Sequence, residues 1–132
     1  MENVKKFLKK DRFAELVGIE LLEVVEGRAR ARFEIKDKHL NGVNIVHGAA
    51  IFALADLVFA AAANSHGTVA VAINVSISFL KAARSGTLTA EGHEVSRNPK
   101  LGTYTINVTD DAGDLVAVFQ GMVYRKNDPL PV

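Results

Sequence analysis

The segment from His47 to His66 reads HGAAIFALADLVFAAAANSH. Read as a helix it is apolar nearly all round, the pattern of a helix enclosed by protein. Its length would cover about 30 Å, enough for a bilayer. Asp56 sits near the centre, however, where a carboxylate costs roughly 2.5–3.5 kcal/mol even on the lenient insertion scale. Alanine, a weak hydrophobe, also dominates the run. The segment is therefore expected to be a buried central helix, with Gly67 placed to end it as the C′ residue.

On the N-terminal side, Ile19 to Glu26 reads as a short strand and Gly27 permits a turn. Ala29, Ala31, Phe33 and Ile35 then alternate with Arg28, Arg30, Arg32 and Glu34, a strand with one wet face. Residues 36–46, KDKHLNGVNIV, form the loop into the helix. On the C-terminal side the period changes to two: Val69, Val71, Ile73, Val75, Ile77 and Phe79 alternate with small or polar residues, predicting a long strand with one apolar face. Turns at 82–86, at Asn98-Pro99-Lys100 with Gly102, and at Asp110-Asp111-Ala112-Gly113 separate 87–97, 103–109 and 115–125. Strands joined by short turns are antiparallel, so one helix against such a sheet makes an α+β design. The first 17 residues are expected to form one amphipathic helix on Val4, Phe7, Leu8, Ala14, Leu16 and Val17, packed onto the domain's own sheet. The tail 126–132, KNDPLPV, carries two prolines and is expected to fray.

Composition limits what such a domain can do. A chain of 132 residues is one domain and buries roughly two-thirds of its unfolded surface without staples. The 48% hydrophobic and 23% charged fractions are those of a globular protein. Sixteen basic and fifteen acidic residues leave a net charge of +1, which favours neither nucleic acid nor an anionic membrane. The absence of cysteine removes disulfides, thiolate metal sites and thiol nucleophiles, and fits a reducing cytoplasm. The N-terminus lacks the apolar stretch and cleavage site of a signal peptide. His39, His47, His66 and His93 are scattered without ligand spacing, so no metal is expected.

Two features bear on chemistry. Asp56 has Phe52, Ala53, Phe59 and Ala60 three and four positions away, so its own helix face is apolar. It is either a core aspartate satisfied by backbone donors or a serine, or a general base or nucleophile made more basic by desolvation. The second feature is Asn41-Gly42 with His47-Gly48 at the helix start, where unpaired N–H groups and a partial positive charge lie open. Gly48 has no side chain to obstruct a ligand, so its N–H could polarise a carbonyl oxygen. Ordinary loop and helix-start roles fit these residues equally well. Nine residues from His47 to Asp56 turn about 180° and advance about 13.5 Å. If both act on one small group, two chains must contribute, which predicts a symmetric dimer.

The pattern Asn41-Gly42-x4-His47-Gly48-Ala49, with Asp56 nine positions after the histidine, resembles the hotdog-fold acyl-CoA thioesterases, nearest to their phenylacetic-acid-degradation (PaaI-type) branch. The resemblance runs from about residue 13 to 125 and includes AVAINVSISFLKAA (70–83) and DDAGDLVA (110–117). It implies an antiparallel sheet wrapped around one long central helix, dimers joined edge to edge, and often tetramers. It implies Asp56 as base or nucleophile, the Gly48 N–H polarising the thioester carbonyl, and His47 and Asn41 positioning substrate or water. Gly42, Asn74, Arg97 and Lys100 would contact substrate or coenzyme A, which is part of the substrate, so no separate cofactor is implied. Two departures stand out: Ala49 replaces the usual second glycine, and Ala72 stands where some relatives carry a serine, leaving Asn41, His47 or Asn74 to position water.

The competing reading is a non-catalytic acyl-CoA or acyl-ligand binding module on the same fold. Asp56 argues for the enzyme, since binding alone does not need it. A dehydratase of this fold pairs a histidine with an acid in an arrangement absent here.

Overall fold

The computed structural model describes residues 1–132. Two short helices, α1 (Glu2–Leu8) and α2 (Arg12–Val17), precede strands β1 (Glu20–Val25) and β2 (Arg28–Glu34). The long helix α3 (Gly48–Asn64) follows, then β3 (Thr68–Phe79), β4 (Thr87–Arg97), β5 (Leu101–Thr109) and β6 (Leu115–Pro129). All six strands form one antiparallel sheet in the order β1-β2-β4-β5-β6-β3. The sheet wraps α3, as the resemblance implied. Four strands follow α3, and β3 closes the sheet as an edge.

The alanines of α3 let the sheet come close. Leu54, Ala55, Val58, Ala61 and Ala62 are completely buried, facing Leu88, Ala90, Tyr104, Ile106 and Phe119 in one core. Two strand glycines complete the fit. A Cβ on Gly121 would stand 2.6 Å from the Phe59 ring, and one on Gly92 would stand 2.9 Å from Val58, so both mark places where the helix presses on the sheet backbone.

Three expectations are corrected. The N-terminal segment is two helices because Asp11 starts a new one: its Oδ1 accepts the Ala14 N–H at 2.9 Å, a strong N-cap. Both helices pack chiefly against α3 and not against the sheet, burying Val4, Leu8 and Ala14 while Leu16 stays exposed.

The tail is not frayed, since β6 continues to Pro129 to match the length of β3, with Thr68 opposite Pro129. Leu130 is buried and its N–H bonds to Gly67 O, while Lys10 Nζ donates to Pro131 O.

The single apolar face of 69–79 is interrupted by a bulge at Ile73, between Ala72 opposite Val123 and Asn74 opposite Met122. An extra residue reverses the alternation. Val75, Ile77 and Phe79 therefore face α3, whereas Val71 lies on the other face and, with Ile73, is exposed.

Candidate active site

The loop before α3 is held by its own polar groups. Asn41 Oδ1 accepts the N–H groups of Val43 (3.0 Å) and Ile45 (3.3 Å), and Asn44 takes a left-handed φ of 60°, which asparagine tolerates. His47 N–H bonds to His39 O and Val46 N–H to Ala83 O, fixing where the helix begins. His47 is the N-cap, with Nδ1 accepting the Ala49 N–H at 2.9 Å. Its neutral ring then carries the hydrogen on Nε2. Ala50 N–H bonds to His47 O, while the Gly48 N–H has no partner. One donor is thus left at the positive end of α3, beside a glycine.

Asp56 stands eight residues further on, about 12 Å along the axis. It is half-buried and accepts no hydrogen bond. Burial, followed by the negative charge of Asp11, pushes its carboxyl above the ordinary range. Ala49, Phe52, Ala53, Asp56 and Ala60 form the one stripe of α3 that its own sheet leaves partly open. Within the chain no backbone donor or serine satisfies Asp56. This carboxylate is desolvated, unpartnered and directed outward.

The remaining sequence candidates are spread over the domain. Asn41, Gly42, His47 and Gly48 gather at the start of α3. Asn74 lies on the face of β3 turned away from α3, because the Ile73 bulge reverses the alternation. Arg97 and Lys100 are on the β4–β5 hairpin, at the other end of the 17-residue helix. There Arg97 Nη1 donates to His66 Nδ1 at 2.7 Å, and Lys100 is exposed with only its backbone bound, its N–H to Asn98 Oδ1 and its carbonyl to the Arg125 N–H. No single chain brings Arg97 or Lys100 to its own Gly48.

A polar cluster at that far end is not foreshadowed by any sequence pattern. His66 Nε2 donates to Glu94 Oε1 at 2.8 Å, Tyr104 Oη donates to the same oxygen at 2.7 Å, and Glu26 lies 3.2 Å from His66 Nδ1. Burial pushes the Glu94 carboxyl up, but the hydrogen bonds from Tyr104 and His66, with the Arg97 charge, hold it below the ordinary range. Burial and the Glu94 bond raise the Tyr104 phenol. These residues meet only through β1–β2, α3 and β4–β5, at separations no local motif reports.

Known proteins share both the fold and the site region. The model of the thioesterase superfamily matches residues 43–117, which hold the end of the loop, α3 and strands β3, β4 and β5. A protein of Archaeoglobus fulgidus is 45% identical over 99% of this chain and 86% of its own length. The acyl-coenzyme A thioesterase PaaI of Escherichia coli is 34% identical over 94% of this chain and 89% of its own. The structure of E. coli PaaI superimposes with a TM-score of 0.94, covering 98% of this chain and 95% of that one at 32% identity. A Streptococcus mutans protein solved with acetyl CoA bound matches at a TM-score of 0.80 and 25% identity, covering 84% and 90%.

Proposed function

Since the chain belongs to the thioesterase superfamily, with the hotdog fold of its PaaI-type branch, we propose that it hydrolyses an acyl-CoA thioester to a carboxylic acid and free coenzyme A. The observation that carries this reading is Asp56: a half-buried carboxylate without a hydrogen-bond donor, raised in basicity on an otherwise apolar stripe. Such a group costs stability in a module that only binds, which weighs against the non-catalytic alternative. The acetyl CoA held by the S. mutans neighbour and the activity of PaaI supply the substrate class.

In this mechanism the thioester carbonyl oxygen accepts the free Gly48 N–H, where the helix dipole favours developing negative charge. Asp56 either removes a proton from water, whose oxygen then bonds to the carbonyl carbon, or attacks that carbon itself to give an anhydride that water opens. On both routes the carbon–sulfur bond breaks, and the electron pair leaves on the coenzyme A sulfur as thiolate. His47 Nε2 is the free donor beside the site, and Gly42 leaves the loop open to substrate. Asn41 acts mainly by shaping the loop, since its carbonyl oxygen is already engaged. Ala72 faces α3 without a hydroxyl to assist.

The axial separation of about 12 Å between Gly48 and Asp56 is too long for one small substrate group, so in this mechanism two chains share each site. The edge strand β3 offers the joint: it carries exposed Val71 and Ile73 and has no proline or lysine guarding its twelve residues. An edge-to-edge dimer, itself able to pair into a tetramer, would bring Asp56 of one protomer to Gly48 of its partner. It would also leave Asn74, Arg97 and Lys100 to reach coenzyme A from the second chain. No helix is long and apolar enough to cross a membrane, and the cysteine-free chain suits the cytoplasm.

The test is free-thiol release from short, medium and aryl acyl-CoAs, with wild type and Asp56→Asn. Release by wild type and its loss in the variant are expected. No release from any substrate, or a variant as active as wild type, overturns the assignment.

A further inference from the structure

A groove of about 430 Å³ runs between α2 and the first turn of α3, lined by Phe13, Leu16, Val17, Leu40, Ala49 and Ala50. We infer that this groove receives the apolar end of the acyl group, and that the substrates are acyl thioesters larger than acetyl. The inference rests on the thioesterase reading above and adds a substrate class to it.

The groove is held open by bonds that serve no other evident purpose. Lys38 Nζ donates to Leu16 O at 2.8 Å, and His39 Nε2 donates to Val17 O at 2.6 Å. His39 Nδ1 accepts the Lys36 N–H at 2.9 Å, which leaves the ring hydrogen on Nε2 for that bond. The end of α2 is thus fastened to the same loop that positions His47. On this fixed wall Phe13 is 61% and Leu16 70% exposed. Large apolar side chains on a rigid, uncovered wall beside a site are the mark of a surface that a ligand covers.

Position and size select the occupant. The inner end of the groove is His47, Ala49 and Ala50, which flank Gly48 and its unpartnered N–H, so a chain attached to a carbonyl held there has the groove within reach. The lining is mainly apolar, which suits an acyl tail and not the charged nucleotide of coenzyme A. Ligand pockets span about 300–1,000 Å³, and a two-carbon group would leave 430 Å³ largely empty. A second copy docked along β3 would meet the groove at its inner end, where Phe79 of β3 packs on Gly48, and not at the α2 wall. Strands β1 and β3 are opposite edges of the sheet, and α1–α2 pack on the β1 side, near Ile19, Leu21 and Leu57.

Calorimetric binding of two non-hydrolysable thioethers, S-hexyl-CoA and S-ethyl-CoA, to the whole protein tests this. Wild type is expected to bind the hexyl compound at least about tenfold more tightly. The double variant Phe13→Asn/Leu16→Asn, changed only at exposed positions, is expected to lose most of that ratio. Equal affinities in wild type, absence of binding by either compound, or a ratio retained in the variant overturns the inference. A retained ratio with a changed mass by light scattering would assign the wall to contacts between copies instead. Thioether binding needs no turnover. A protein that shows the ratio yet releases no thiol from hexanoyl-CoA would therefore sink the thioesterase reading and leave the groove standing.

Discussion

The ring of Phe79 on β3 rests against Gly48 at the first helical position of α3, its Cζ 3.1 Å from where a Cβ on that glycine would stand. A helix start and a sheet edge are thereby packed together at the proposed carbonyl site. Gly48→Ala should push the ring aside and lower kcat/KM about tenfold while keeping the N–H. Gly48→Pro should go further. Proline suits the first helical position, but it deletes the donor, so kcat should fall about 10²–10³-fold with the circular dichroism spectrum retained. Equal activities of the two variants would count against carbonyl polarisation.

Asp56→Asn removes a desolvated charge. A carboxyl whose folded pKa is raised lowers stability as pH rises from its unfolded value through its folded one, so the penalty is fully present at neutral pH. The variant should therefore melt roughly 2–6 °C higher at pH 7 while losing most of its thiol release. Near pH 3 the melting difference should vanish, and scanning calorimetry at both pH values checks this.

Asp11 contributes to the high basicity of Asp56 through its charge. The acid limb of kcat/KM should therefore lie above the ordinary carboxylate range of about 4, and Asp11→Asn should move it to lower pH. Asparagine caps helices as well as aspartate does, so α2 should persist. A pH profile unmoved by this change would show that Asp56 does not set the limb.

Glu94 has the opposite sign. Its folded pKa is lowered, so its contribution is present above the unfolded value of about 4.3 and is lost as pH falls through the folded one. Urea midpoints should drop on acidification more steeply for wild type than for Glu94→Gln. At pH 7 the variant should be less stable by about 1 kcal/mol, the worth of a hydrogen bond to a charged acceptor after allowance for its partial exposure.

Ile73 forms the bulge on the exposed edge of β3. Ile73→Lys places a charge where two edges would pair, so light scattering should show a smaller particle and thiol release should fall at least tenfold. A monomeric variant with full activity would refute a site shared between chains.

Where periodicity is strict, local sequence sufficed to predict the element. The all-round apolar character of 47–66 fixed the central helix, and the alternation of 28–35 fixed β2. Gly67 does take a left-handed φ of 90°, but two residues past the Ser65 C-cap and not at the C′ position expected for it. Errors arose where one residue outweighed the pattern. Asp11 divides the N-terminal helix because a cap acts locally. Ile73 reverses a strand because one inserted residue changes the face of all that follow.

Local sequence was enough to establish that one small domain would enclose an apolar helix, and that this helix would carry a single carboxylate near its middle. Helical periodicity and the cost of burying charge are local properties, readable from neighbours three and four positions away. Tertiary structure alone decided that Asp56 is left without a donor, that Gly48 keeps a free N–H, and that Lys38 and His39 fasten α2 beside it. It also decided that His66, Glu94 and Tyr104 meet, and that Pro129 ends a strand. Such facts depend on which groups the folded chain brings together and which partners it uses up. Desolvation and hydrogen bonding act through space, so separation along the chain does not report them.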